Sequence, residues 1–170
     1  TRPLTSSTSK ECITGRISAR KRSSVKNKIL VATSNKHKLK EIASILRLSV
    51  VICKLSVRET GRTFEANAIK KAGAGVKKYG QITIADDSGL MVDCLGGKPG
   101  VRSARFANPP TPVKLCQKLL NVMRLRGSNR LAAFVCVIAI AYPSGKVKTV
   151  KGICRGKIID AMRGKHGFGY

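Results

Sequence analysis

Apolar and polar positions alternate between two periods along the chain. Ile29 to Thr33 is a short apolar run, read as a buried strand, and Ser34 and Asn35 follow as turn or N-cap residues. Leu39, Ile42, Ile45 and Leu46 then recur at helical spacing, predicting a helix from about Lys36 to Arg47. Val50 to Cys53 is a second short strand. After a Gly-centred loop, Glu59 to Thr63, Thr63 is placed to cap a helix from Phe64 to about Tyr79, and Gly80 is placed to end it. Ile82 to Ala85 reads as a third strand, with Asp86-Asp87-Ser88-Gly89 as a turn at its carboxyl end. Leu90 to Cys94 alternates like a strand, and Leu95 to Gly100 reads as a long turn. Thr111-Pro112 opens a helix that runs to about Arg126. Leu131 to Tyr142 and Lys146 to Cys154 form a hairpin around Pro143-Ser144-Gly145, and the Gly-rich end, Gly164 to Tyr170, reads as loop. Strands alternating with helices, then a long antiparallel pair, predict an α/β fold with a mixed, twisted sheet and flanking helices.

The pattern has an edge at residue 28. Thr1 to Lys28 is rich in Ser, Thr, Lys and Arg, has one acid, Glu11, and shows no apolar periodicity. Such a segment cannot offset its ordering entropy by burial and is expected to be a disordered basic extension. An organellar transit peptide, a basic arm for nucleic acid and an unselected leader all fit it. The chain has no initiating Met, which suits a fragment. Residues 29–170 are expected to form one domain.

Composition adds two exclusions and one question. The longest nearly apolar stretch, Leu131 to Tyr142, is too short to span a bilayer as a helix, so no membrane role is expected. With no Trp and 4% aromatics, broad stacking surfaces for single strands are not expected. The six cysteines form no C-x-x-C pair and stand at no metal-ligand spacing from His, so they are read as thiols, mostly buried, in a reducing compartment. The formal charge of +26 would draw in polyanions, whether nucleoside triphosphate or nucleic acid.

Three groups of residues could do chemistry. Thr33 to Lys38 lie where a strand passes into a helix, and a helix N-terminus with added lysines favours phosphate; an ordinary capped turn with solvated lysines is the plain alternative. Asp86 and Asp87 are adjacent carboxylates in an acid-poor chain, which repel one another unless a cation such as Mg²⁺ is near; turn chemistry alone also explains them. Glu59 could add a metal oxygen or form a surface ion pair. His37 and His166 are isolated among lysines and read as exposed, and no Ser–His or Cys–His pair supports nucleophilic catalysis.

Taken together, five segments resemble the inosine/xanthosine triphosphate pyrophosphatase family. They are A-T-S-N-K-H-K-L-K-E (Ala32 to Glu41), E-T-G-R-T-F-E-A-N-A (Glu59 to Ala68), A-D-D-S-G-L-M-V-D (Ala85 to Asp93), L-G-G-K-P-G-V-R-S-A-R-F (Leu95 to Phe106) and G-F-G-Y (Gly167 to Tyr170), in the family's order. The resemblance implies two α/β lobes flanking a long cleft, a homodimer, and hydrolysis of non-standard purine triphosphates (ITP, dITP, XTP) to monophosphate and pyrophosphate. Thr33, Ser34, Asn35, Lys36, His37 and Lys38 would line the triphosphate pocket, with Asn35 and Lys38 as principal contacts and Lys71 also facing phosphate. Glu59, Asp86 and Asp87 would hold Mg²⁺, and Asp87 would be the base for the attacking water. Ser88 would touch substrate, Arg105 would lie at the cleft, and Phe168 would pack on the purine with Gly169 and Tyr170 beside it. A cytoplasmic location is expected, or an organellar one if residues 1–28 are a transit peptide; nucleic acid is a weaker expectation for partner than nucleotide. The chain departs from the family's usual pattern at Ser34, where Gly is usual, and at Ala66, where a second Glu is common. It also stops at Tyr170, where the family continues with Asp-Pro and, later, a Lys and a Ser-His-Arg segment that read the base; the sequence is therefore expected to be truncated.

Overall fold

A computed structural model describes residues 29–33, 36–47, 50–53, 55–163 and 170. Residues 1–28, and with them the expected basic extension, lie outside the described residues, as does the loop read over 164–169.

Strands β1 (Ile29–Val31), β2 (Val50–Ile52), β3 (Thr83–Val92), β4 (Leu131–Ala141) and β5 (Val147–Lys157) form one sheet in the order β2-β1-β3-β4-β5. β1 pairs in parallel with both β2 and β3, whereas β3, β4 and β5 pair antiparallel. The mixed sheet is therefore the predicted one, and its parallel part is the part built by strand–helix–strand connections. Helix α1 (Lys36–Leu46) follows β1, α2 (Phe64–Tyr79) precedes β3, and α3 (Pro112–Arg124) precedes β4.

Helix α2 is the predicted one at both ends. Thr63 is extended and its hydroxyl accepts from the Ala66 N–H, satisfying an otherwise orphan donor, and Gly80 donates to the Val76 carbonyl to close the last turn. Its inward face is Phe64, Ala68 and Ala72, which pack with Leu30, Ala32, Ala85, Val135, Val137 and Ala139 into the main core. Small residues on that face let the helix lie close to the sheet, while Phe64 supplies bulk; burying a side chain of that size stabilises by roughly 1.5–3 kcal/mol. On the other face of the sheet, Leu119 and Met123 of α3 cover Leu90, Val92 and Ala132.

Two expectations change. The apolar stripe of α1 is only half used: Ile45 is 77% exposed and Leu46 is also exposed. The helix is held to the sheet through Lys38 rather than by a greasy face. More consequentially, Asp86-Asp87-Ser88-Gly89 is not a turn. β3 runs unbroken through all four residues, paired with β4 from Thr83↔Ala141 to Val92↔Ala132. Local turn chemistry yields here to ten consecutive residues of cross-strand pairing. β5 is the sheet's outer edge, largely exposed on both faces, and its lysines discourage pairing with another edge.

Candidate active site

Because β3 is a regular strand, consecutive residues point to opposite faces. Asp86 and Ser88 share the face toward α1, and both meet Lys38, whose Nζ donates to Asp86 Oδ2 at 2.5 Å and to Ser88 Oγ at 2.8 Å. Asp87 points the other way, toward α2. There Asn67 Nδ2 donates to its Oδ2 at 2.9 Å, and the Ser88 N–H donates to its Oδ1 at 3.0 Å. Asp86 and Asp87 are both buried, 5% and 8% exposed. The two adjacent carboxylates thus have different partners, Asp86 the lysine of α1 and Asp87 the amide of α2.

A second cluster gathers on the Asp87 side. Lys71, one helical turn after Asn67, donates to Glu59 Oε1 at 2.8 Å, and Arg105 donates to Glu59 Oε2 at 3.3 Å. Burial alone would raise the Glu59 carboxyl, but Lys71 and Arg105 together outweigh it and hold it below the usual carboxylate range. Asp87 differs. Burial pushes its carboxyl up, the Asn67 hydrogen bond and the Lys71 charge pull it part of the way back, and Glu59 pushes it up again. One carboxylate is thus clamped and charged while its neighbour is held less stably as an anion, which is how a site sets apart a fixed charge and a proton acceptor.

Of the expected site residues, the structure brings together Lys38, Asp86 and Ser88 on one face, and Glu59, Lys71, Asp87 and Arg105 on the other. Thr33 sits half-buried just past β1. Lys36 and His37 open α1, but their side chains lie outside what is described; Ser34, Asn35, Phe168, Gly169 and His166 lie outside the described residues altogether. Among the described residues no three His, Cys, Asp or Glu side chains come together to hold one metal ion. The oxygen donors of Glu59, Asp86 and Asp87 suit Mg²⁺ in kind, and Glu59 and Asp87 feel one another's charge.

Tyr170 is placed as a packing residue. It lies against the Leu90–Met123 cluster, and its hydroxyl donates to the Ser103 carbonyl at 3.0 Å. Burial, with a smaller push from Cys116, raises its phenol to about 12. Since folding raises this group above its ordinary value of 10.0, its contribution to stability is whole below that pH and is lost as the pH rises through about 12. Following phenolate absorbance during an alkaline titration should show a step near 12 that Tyr170→Phe removes; a titration without so late a step would place the ring in solvent.

The cysteine reading is met in part. Among the described residues Cys53, Cys94, Cys116, Cys136 and Cys154 are thiols outside any disulfide, but of these only Cys53 is buried and Cys154 is exposed. Cys136 stands close to the Lys38 cluster, yet burial and the nearby Asp86 raise its thiol, so it is not an activated nucleophile.

Asn67 is the site residue that sequence reasoning passed over. It is 1% exposed, inside a helix, and its partners are Asp87 and the Gly61 N–H. The signals were its place in the segment Glu59 to Ala68 and a polar side chain in the inward row that also carries Phe64 and Ala68.

Comparison with known proteins fits this arrangement. Residues 29–170 match the family model described as the Ham1 family. The chain is 44% identical over 153 residues to the dITP/XTP pyrophosphatase of Desulforamulus reducens, covering 84% of this chain and 76% of that protein. It is 44% identical over 150 residues to the dITP/XTP pyrophosphatase of a Nostoc species, covering 84% of this chain and 74% of that one. Among solved structures, the Staphylococcus aureus Ham1 protein superposes with a TM-score of 0.77 at 38% identity, covering 84% of this chain and 78% of that chain. A HAM1 protein from Coxiella burnetii superposes with 0.78 at 36% identity, with the same coverages. The family match takes in all five strands and both faces of the site, and on that ground the chain belongs to the Ham1 family.

Proposed function

We propose that this protein hydrolyses non-standard purine nucleoside triphosphates, ITP, dITP and XTP, between the α- and β-phosphates, yielding monophosphate and pyrophosphate. The observation that carries the reading is the Asp87 side of the site, where a buried carboxylate with a raised affinity for protons stands beside a clamped Glu59 and two cations, Lys71 and Arg105. Relatives named for this activity support it.

In this reading Asp87 accepts the proton of the attacking water. A general base works best when its carboxylate is held in a fixed orientation, and Asn67, a neutral donor, holds Asp87. Lys71 and Arg105 are poised to transfer their charge from Glu59 to phosphate oxygens, where negative charge grows in the transition state. Lys38, positioned by Asp86 and Ser88, would meet the polyphosphate from the α1 side, with Thr33 to His37 at the same strand-to-helix passage. When bound, Mg²⁺ would neutralise phosphate oxygens, and Glu59, Asp86 and Asp87 are the carboxylates that could hold it. The reading extends to a homodimer with a two-lobed cleft and a cytoplasmic location.

The test is pyrophosphate release from XTP, ITP and ATP by the full chain with Mg²⁺ supplied. The expected result is turnover of XTP and ITP with ATP at least about 10²-fold poorer in kcat/KM, since a site that hydrogen-bonds a 6-oxo group leaves polar groups unpaired against adenine. Equal rates on all three, or no pyrophosphate from any, would sink the reading.

A further inference from the structure

We propose that Asn67 is a positioning residue: its side-chain amide ties the Asp87 carboxylate to the loop carrying Glu59 and so fixes how the two carboxylates stand relative to one another. The inference rests on the proposed hydrolysis.

Both ends of the amide are used. Nδ2 donates to Asp87 Oδ2 at 2.9 Å, and Oδ1 accepts from the Gly61 N–H at 2.7 Å. An amide buried to 1% exposure in a helix interior is costly unless every polar atom is paired, and alanine, which fills the same face at Ala68 and Ala72, is the better helix former. The polar residue is thus held at this position by its two partners rather than by the helix.

Gly61 is matched to it. A Cβ built on Gly61 would lie 2.6 Å from Asn67 Oδ1 and 3.0 Å from the Ala66 side chain. Only a residue without a side chain brings its N–H that close. Gly61 is two residues from Glu59, so the bond sets the height of the Glu59 loop above α2. Lys71, one turn along the same helix face, takes Glu59 from the other end. One helix face therefore holds both carboxylates: Asp87 by Asn67, Glu59 by Lys71, with Gly61 joining the two. A neutral amide suits this task, since it orients a carboxylate without competing for the proton or the phosphate as a lysine would.

The test uses two variants of the full chain, assayed by pyrophosphate release from XTP. Asn67→Asp is nearly isosteric; it keeps the acceptor for Gly61 and replaces the donor to Asp87 with a second carboxylate, which repels it. Gly61→Ala leaves Asn67 intact and drives a methyl group against its oxygen. Each should lower kcat by about 10- to 100-fold, as loss of a partner that orients a catalytic group does, while KM moves by less than about threefold. The double variant should lose no more than the worse single one, because both break one linkage. Cooperative unfolding, with melting temperatures lowered by no more than about 10 °C, completes the expected result. A folded variant with wild-type kcat, a rise in KM alone, or additive losses would overturn the proposal. Collapse of both single variants would overturn it too, since the pair would then hold the domain rather than the carboxylate. An inactive wild-type chain would sink the proposed hydrolysis itself and this inference with it, an outcome distinct from an active chain indifferent to Asn67.

Discussion

Replacing Asp87 with Asn should lower pyrophosphate release from XTP by about 10²- to 10⁴-fold, the usual worth of a general base, with the fold intact. The stability half of this expectation follows from the carboxylate's surroundings. Both Asp87 oxygens accept hydrogen bonds, one from Asn67 and one from the Ser88 N–H. An amide has one acceptor oxygen, so one of these bonds is lost, at a cost of about 1 kcal/mol. Against that, folding raises the Asp87 pKa, so the charged form detracts from stability once the pH is above the folded value, and a neutral amide removes that penalty. The two effects oppose one another, and the melting temperature at neutral pH should stay close to wild type. Turnover within about tenfold of wild type, in a folded Asp87→Asn protein, would move the base to another residue.

Gly89→Ala should do the opposite and damage the fold. A Cβ at residue 89 would lie 2.5 Å from Ser103 Oγ, 2.6 Å from the Gly100 carbonyl oxygen and 3.0 Å from Phe64 Cε1. The Gly100 contact is to backbone and cannot rotate away. The Ser103 hydroxyl bonds the Gly100 carbonyl and accepts from the Leu90 N–H, so moving it breaks the tie between β3 and the 3-10 turn Gly100–Arg105. Overpacking of this kind costs about 3 kcal/mol, at the upper end of the usual range. For a domain of this size that is a fall in melting temperature of about 6–12 °C, measurable by circular dichroism. A variant melting within about 2 °C of wild type would mean that the 3-10 turn can withdraw from the strand.

Gly89 also shows where local reading fails. In sequence, Asp-Asp-Ser-Gly carries the signals of a turn, and glycine suggests a bend. In the fold its lack of a side chain serves close approach: Ser103, Gly100 and Phe64 converge on a strand that keeps going. None of these is a near neighbour in sequence, so no window along the chain contains the information. The α1 stripe fails for a related reason. Helical period was right, but which apolar residues are covered depends on how α1 meets the sheet, and Lys38 settles that by reaching Asp86 and Ser88, some fifty positions on.

The elements read correctly share a different property. α2 is bounded by Thr63 and Gly80, whose hydrogen bonds close within the helix's own first and last turns. The β4–β5 hairpin follows from two apolar-rich runs joined by Pro143-Ser144-Gly145, with strand ends adjusted by a few residues. The candidate site was legible as a set of residues, through the resemblance of five short segments, but not as an arrangement. Glu59, Lys71, Asp87 and Arg105 were each named; that they face one side, and Lys38, Asp86 and Ser88 the other, was not.

The amino-acid sequence by itself determined the three helices, the β4–β5 hairpin, the mixed character of the sheet and the family, because capping, period and motif are short-range properties of neighbouring residues. Only the tertiary structure decided that Asp86 meets Lys38, that Asn67 holds Asp87, and that Glu59 is clamped by Lys71 and Arg105. Those contacts depend on the alternation of a strand whose length is set by its pairing with β4, and that pairing joins residues about fifty apart in the chain.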